Sequence, residues 1–449
     1  MSLYTKLVSN VLFPLHEQLK GHNSVAIRKA LEQSQWWSRE QINAFQSDRL
    51  KQLIADVYQH VPYYRELMDQ HQIKPAEITS VQDLRRFPFL TKQLIKKHTD
   101  ALKADTDPQL QRFNTGGSTG EPLIFYIGKE RVSHDVAAKW RATRWWGVDI
   151  GDPEIVVWGS PVELGAQDRI REIRDKLLRT ELMPAFEMSD ENLDRFVEKI
   201  RQSRPTMLFG YPSALSLIAR HAKKHGVAMD NLGIKVAFVT SERLYEEQKK
   251  EIESIFGCPT ANGYGGRDGG FIAHQCPAGN MHITAEDIIV EIVDSSGEPV
   301  PAGEAGEVVV THLATREFPF IRYRTGDVAV MDDSTCPCGR GLPVLKEIQG
   351  RTTDFIVTKS GVRMHGLALI YILRDIPSVK EFQIIQESVD SIRVKLVVLG
   401  SYGEQDKQSI VDGFKLRLGD DVEVILEQVD KIEAEKSGKF RYVKSQVVM

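Results

Sequence analysis

Apolar residues are distributed along this chain in three successive textures. Over residues 1–105 they recur at helical spacing. In Gln41–Tyr58, for example, Ile42, Phe45, Leu50, Leu53, Ile54 and Val57 predict one apolar helix face. Pro62 and Pro75 punctuate the run. Residues 106–350 then alternate short apolar runs with helical stretches. Ile155–Trp158, Thr206–Phe209 and Val236–Thr240 read as strands, and each runs into small or polar residues: Gly159-Ser160, Gly210-Tyr211-Pro212-Ser213 and Ser241-Glu242-Arg243. Glu191–Gln202 and Pro212–His225 read as helices between them. Strand, turn and helix in repetition predict a parallel α/β sheet, with ligands at the carboxyl ends of its strands. From about residue 285 the pattern changes. Ile288–Val293 and Glu307–Thr311 flank a Gly/Pro/Ser-rich turn and predict antiparallel strands. Beyond Gly350-Arg351, a strand over Ser391–Leu399, a helix over Glu404–Leu418 and a strand over Val422–Val429 predict a small α+β domain. The expected architecture is a large α/β domain over residues 1–350 and a small domain over 351–449.

Composition narrows the class. A chain of 449 residues suggests two or three domains at about 150 residues each. The formal net charge of −4 implies no broad basic face, so nucleic acid is not expected as a partner. No apolar run reaches the ~18 residues of a membrane-spanning helix. The apolar stretch Leu7–Leu15 is interrupted by Ser9, Asn10 and Pro14 and lacks a cleavage site. It is expected to pack on the body of the protein rather than to lie in a membrane interface. With no export signal read, a cytoplasmic location is expected, and the four cysteines are not a disulfide framework.

The segment Asn114-Thr115-Gly116-Gly117-Ser118-Thr119-Gly120-Glu121-Pro122 carries the strongest chemical signal. Glycines let backbone N–H groups converge on one anion, and Ser118 and Thr119 add hydroxyl donors. The run Leu123–Tyr126 that follows reads as a strand. The loop lacks the G-K-[ST] ending of a Walker A motif. Four further motifs follow it in order: Asn262-Gly-Tyr264-Gly265-Gly266-Arg267-Asp268, Arg322-Tyr-Arg-Thr-Gly-Asp327, Gly350-Arg351-Thr352-Thr353-Asp354 and Ser437-Gly438-Lys439-Phe440-Arg441.

In this order and spacing the five motifs resemble the adenylate-forming superfamily of acyl-CoA synthetases, luciferases and peptide-synthetase adenylation domains. Val61-Pro62-Tyr63-Tyr64-Arg65, Gly210-Tyr211-Pro212-Ser213 and Cys336-Pro337-Cys338-Gly339-Arg340 sharpen the resemblance to the phenylacetate–CoA ligase branch and its relatives associated with capsule and exopolysaccharide genes. The resemblance runs from about residue 50 to the end of the sequence. It implies that the loop Thr115, Gly116, Gly117, Ser118, Thr119, Gly120 holds the ATP phosphates. It further implies that Tyr264, beside Gly265, stacks on adenine, with Ser241 and Glu242 in the turn against that base. Asp327 grips the ribose hydroxyls, as suits an acceptor-only carboxylate facing two O–H donors. Arg351 contacts nucleotide, and Thr352, Thr353 and Asp354 form a hinge. Lys439 is the catalytic residue: its ammonium stabilises the negative charge that develops when a carboxylate attacks the α-phosphorus. Carried on a mobile loop, it enters for adenylation and leaves for acyl transfer.

One motif departs from the family form Tyr-Gly-x-Thr-Glu. Here Asp268 stands where glutamate faces Mg²⁺, and a carboxylate oxygen still serves a hard cation. Arg267 replaces threonine. It either forks an acidic or polar acyl group or pairs with Asp268, and the sequence leaves both open.

Cys276, His282, Cys336 and Cys338 form a second constellation. Thiolates and an imidazole on two turns match the ligand set of a closed tetrahedral zinc site, and the resemblance supports it, since some members of the branch carry one. His274 competes as a ligand, and Cys258 reads as core. Trp145, Trp146 and Trp158 read as core rather than as pocket lining.

The resulting expectation is an ATP-dependent ligase that adenylates a small carboxylic acid and passes the acyl group to coenzyme A, with Mg²⁺ and a structural Zn²⁺. Two rivals stand beside it. One sends the acyl group to a carrier protein or a sugar amine in polysaccharide biosynthesis. The other is a nucleotide-binding relative without catalysis, which Arg267 favours and Asp327, Arg351 and Lys439 oppose. The acyl substrate and the oligomeric state, a homodimer included, are open.

Overall fold

The computed structural model describes residues 2–106, 109–114, 123–158, 169–185, 188–351, 355–359, 363–365, 367–433 and 441–447. Two compact units emerge, one of residues 1–325 with 329–348, the other of 349–449 with 326–328.

The first unit opens with helices. The longest, Arg39–His60, starts at a capping box in which Gln41 N–H donates to Ser38 Oγ at 3.3 Å and Ser38 N–H to Gln41 Oε1 at 2.9 Å. Its buried stripe is Ile42, Gln46, Leu50, Leu53, Ile54 and Val57. Gln46, not Phe45, takes the inward position, because its amide donates to Ala285 O at 2.7 Å. Phe45 packs edge-on against Trp37 instead. Pro62 begins the next helix, Pro62–Gln70, where its missing N–H costs nothing.

The strands of this unit are β1 (Gln111–Asn114), β2 (Ile124–Ile127), β3 (Glu154–Trp158), β4 (Thr180–Pro184), β5 (Met207–Gly210), β6 (Val236–Thr240), β7 (Thr260–Gly266), β8 (Gly270–Gln275), β9 (Met281–Ile283), β10 (Ile288–Val293), β11 (Ala305–His312), β12 (Tyr323–Asp332) and β13 (Val344–Arg351), the last two reaching into residues of the second unit. β1 and β2 pair antiparallel. The rest form one eleven-stranded sheet in the order β10-β11-β12-β13-β9-β8-β7-β6-β5-β3-β4. β4, β3, β5, β6 and β7 run parallel. Helices Asp190–Ser203, Pro212–Lys224 and Glu246–Phe256 cover that half through a core that includes Ile200, Leu208, Leu215, Ile218 and Ile252.

The antiparallel half begins earlier than the apolar pattern predicts. β7, β8 and β9 already pair antiparallel from residue 263 onward, not from about 285. Five glycines in 263–270 remove the alternation that marks a strand in sequence. They are required by close approach: a Cβ at Gly265 would lie 2.1 Å from Gly270 O.

The second unit holds a two-stranded pair, β14 (Phe355–Val357) with β15 (Arg363–His365), and a four-stranded sheet in the order β18-β17-β16-β19. Its strands are β16 (Val379–Gln386), β17 (Ser391–Val398), β18 (Glu423–Gln428) and β19 (Val443–Ser445). Ile392, Val394 and Leu396 alternate inward on β17. Phe414, buried on helix Glu404–Leu418, completes this core.

Candidate functional site

The carboxyl ends of β6 and β7 carry Ser241, Glu242, Tyr264, Gly265 and Asp268 of the residues singled out in the sequence. Thr240 is the register partner of Gly263, so the turn after β6 lies beside Tyr264 on β7. Ser241 in that turn is held at φ +70°, a left-handed conformation uncommon outside glycine. Glu242 Oε2 accepts the backbone N–H of Ser213 at 3.2 Å, in the first turn of helix Pro212–Lys224. That helix end favours a carboxylate, and it fixes the Ser241-Glu242 turn against the 211–213 loop. Gly210 ends β5 where a Cβ would meet Val157 O at 2.4 Å. This closeness lets Tyr211 stack on Trp158 at 4.4 Å between ring centroids. Trp158 is therefore half-buried at the strand edge rather than deep in the core.

Beyond Tyr264 the chain turns through Arg267, Asp268 and Gly269. Tyr323, fully buried on β12, donates its hydroxyl to Asp268 Oδ2 at 2.7 Å, and Gly269 N–H donates to Oδ1 at 3.1 Å. From behind, fully buried Arg131 donates to Arg267 O at 3.3 Å and to Asp135 Oδ2 at 2.9 Å. Arg267 is exposed. Nothing in the sequence pattern singles out Arg131 or Tyr323 as supports of this turn.

The Arg322–Asp327 motif divides into a structural and a chemical part. Arg322 sits at φ +48° and forks Glu291 at 3.0 and 3.1 Å. It also donates to Phe87 O at 3.0 Å, tying the helical segment to the sheet. Arg324 pairs with Glu307, and Thr325 Oγ1 donates to Val308 O at 2.9 Å. Asp327 follows, half-buried on β12. Arg351 ends β13, its side chain outside the described set. Thr115, Gly116, Gly117, Ser118, Thr119, Gly120, the hinge residues 352–354 and Lys439 also lie outside the described residues.

The Cys/His constellation closes into one cluster. The ligand atoms of Cys276, His282, Cys336 and Cys338 lie within 4.8 Å of one another. Cys276 and Cys336 Sγ are 3.6 Å apart, and Cys338 Sγ is 3.2 Å from His282 Nε2. Metal–ligand bonds of about 2.3 and 2.0 Å at a tetrahedral centre would separate two sulfurs by about 3.8 Å and sulfur from nitrogen by about 3.5 Å, so the set fits such an ion. Both cysteine turns have the same form. Gly279 N–H donates to Cys276 O at 2.8 Å, and Gly339 N–H to Cys336 O at 3.1 Å, with both glycines at positive φ. His282 Nδ1 faces Leu342 O at 3.4 Å, which turns Nε2 toward the sulfurs. Burial pushes the His282 ring down to about 4 and the Cys276 thiol up to about 11. Trp145 packs edge-on against His282 and covers this cluster, while Trp146 Nε1 donates to Gln275 O at 2.9 Å and packs against the core that includes Met207 and Phe238. His274 stands outside it, its ring packed against Phe238 and Phe271. Cys258 is buried apart.

The comparisons with known proteins agree with this geometry. A family model for AMP-binding enzymes matches residues 179–314, across the parallel strand edge, and one for the CapK C-terminal domain matches residues 356–446. A phenylacetate-coenzyme A ligase of Thermus thermophilus is 27% identical, over 83% of this chain and 85% of that protein. Protein CapK of Staphylococcus aureus is 25% identical, over 88% of each chain. A solved structure of 2-hydroxyisobutyryl-CoA ligase in the postadenylation state, in complex with R3-HIB-AMP, shares the fold with a TM-score of 0.74 at 21% identity, covering 91% of this chain and 90% of that one. Together, the AMP-binding enzyme domain, the CapK C-terminal domain and the phenylacetate-coenzyme A ligase and CapK relatives support the adenylate-forming superfamily, in the branch that holds the phenylacetate–CoA ligases and CapK.

Proposed function

We infer that the chain is an AMP-forming acid–thiol ligase, which adenylates a carboxylic acid with ATP and transfers the acyl group to coenzyme A. The observation that carries this reading is the likeness, over more than four-fifths of both chains, to a phenylacetate-coenzyme A ligase. The chemistry of single side chains supports it. Tyr264, flanked by glycines, offers a flat face to a purine, and Asp327 offers two acceptors to a ribose diol. Asp268, oriented by Tyr323 and Gly269, is the residue that would hold Mg²⁺ through oxygen. Lys439 would balance the charge that develops at the α-phosphate as the acyl carboxylate attacks it, while pyrophosphate leaves. Measuring pyrophosphate release across a panel of carboxylic acids, with and without coenzyme A, tests the reading. Acid-dependent release followed by thioester formation is expected. No release with any acid favours a non-catalytic nucleotide binder, and release without thioester favours a carrier-protein or amine acceptor.

The Cys₃His cluster is proposed to hold one structural Zn²⁺. With four protein ligands and no open position, such an ion would stabilise the fold rather than act on substrate.

A further inference from the structure

The N-terminal helix is built inside out. It runs without a break over Leu3–Leu19, with a π-helical turn at Val8–Leu12. Its buried face includes Thr5, Ser9 and Glu17, while Leu3, Leu7, Val11, Leu15 and Leu19 face solvent, Leu3 and Leu19 at 86% and 80% exposure. The orientation is fixed by specific contacts. Thr5 Oγ1 donates to buried Asp152 at 2.7 Å, Val8 fills the space that a Cβ on Gly151 would need, and Phe13 packs edge-on against Trp140. Glu17 accepts the hydroxyl of Ser24 at 2.7 Å. The polar face is satisfied inside, so the helix gains little by rolling its leucines inward.

The five aliphatics recur every fourth residue over about 24 Å. On an unbroken α-helix that spacing drifts by about 40° per step. A π turn rotates less per residue and takes back part of the drift, so the stripe stays on one side. A second helix, Arg169–Leu178, extends it with exposed Ile173 and Leu177, since Tyr4 donates its hydroxyl to Leu177 O at 2.9 Å. The rim is cationic. Lys6, Lys20 and Arg179 are exposed, and the Arg179 guanidinium lies 5.4 Å from the Tyr4 ring. Glu17 is buried and Asp175 is paired with Arg174, and in sequence residues 3–20 and 169–179 carry Lys6, Lys20, Arg169, Arg171, Arg174, Lys176 and Arg179 against only Glu17, Glu172 and Asp175.

We propose that this stripe seats the protein in the plane of an anionic membrane surface, the aliphatics entering the headgroup boundary and the rim meeting lipid phosphates. Charge decides against a second copy as the occupant. A two-fold contact through the same patch would bring Lys6, Lys20 and Arg179 near their own counterparts, whereas anionic headgroups complement them.

Flotation of the full chain with phosphatidylcholine vesicles, with and without a third of phosphatidylglycerol, tests this. Binding to the anionic vesicles is expected, with little to the neutral ones, and it should weaken as salt rises. The triple variant Leu7→Ser, Val11→Ser, Leu15→Ser should lose binding while keeping its pyrophosphate exchange. Lys6→Gln and Lys20→Gln should each weaken binding about fivefold. Equal partition of wild type and triple variant, or equal binding to neutral and anionic vesicles, would overturn the proposal. So would a wild-type dimer that the triple variant dissolves in sedimentation, with no vesicle binding, since the stripe would then cover a second copy.

Discussion

Single residues in this chain do either chemistry or support, and motifs mix the two. The Arg322–Asp327 segment is the clearest case. Arg322, Tyr323, Arg324 and Thr325 bond Glu291, Asp268, Glu307 and Val308, and Asp327 is the residue of the motif that the resemblance assigns to the ligand. Lys439 is the opposite case, a residue to which the resemblance assigns a purely chemical role. Replacing Lys439 by alanine is expected to lower acid-dependent pyrophosphate exchange by about 10²–10³-fold, the scale of losing one positioned electrostatic donor. Acyl transfer from a preformed adenylate should change far less. Equal loss in both half-reactions would remove Lys439 from the first step. Two histidines show how burial dominates a residue's behaviour. His274, between two phenylalanines, is pushed down to about 3 by desolvation. His312 is held well below its usual value for the same reason, and its Nδ1 accepts Ala314 N–H at 3.2 Å, which needs a bare nitrogen. Both folded-state values lie below the unfolded one. The unfolded chain therefore takes up protons first as pH falls, and stability should drop from about pH 6.5 downward by ~1.4 kcal/mol per pH unit for each ring. Urea midpoints at pH 7.5 and 5.5 check the sign. An unchanged or higher midpoint at pH 5.5 contradicts it.

At the scale of elements, turns carry more of the function than strands. The two cysteine turns, one between β8 and β9 and the other between β12 and β13, bring three sulfurs to His282 on β9, joining sequence positions sixty residues apart. Loss of one thiolate should release the ion and expose a buried, half-formed site. Cys336→Ser is expected to lower thermal stability by several degrees and to abolish tight zinc retention, while the remaining folded enzyme keeps its acid-dependent activity. Metal analysis of protein purified without added zinc should return one ion per chain. A metal-free chain of full stability would end the assignment. The glycine hairpin of β7 and β8 illustrates a second element-scale rule. Its glycines let the two backbones approach, and the approach sets Tyr264 and the Arg267–Gly269 turn in place.

For the whole molecule, the chemistry assigned by resemblance needs Lys439 for one half-reaction only, and the hinge at Thr352–Asp354 is proposed to let the C-terminal domain alternate between the two. Thr353→Pro fixes φ at that position. It is expected to leave one half-reaction near normal and to cripple the other, read by measuring pyrophosphate exchange and thioester formation separately. If both survive, no rotation at this point is obligatory.

Periodicity in the sequence was enough to place the helices Arg39–His60, Pro212–Lys224 and Glu404–Leu418 and the strand β6, because burial on one face leaves a regular trace in residue order. The motifs, read through their resemblance, were enough to name the family, since backbone-approach glycines and ligand-bearing side chains are local. Three things were decided only in the tertiary structure. The β7–β8 pairing was hidden because glycine has no side chain with which to report a face. The supports Arg131 and Tyr323 were hidden because a buried polar side chain is defined by partners more than fifty residues away. The exposure of Leu3, Leu7, Val11, Leu15 and Leu19 inverts what their polarity predicts. Whether an apolar stripe faces inward depends on what the opposite face can satisfy, and here Asp152 and Ser24 satisfy it.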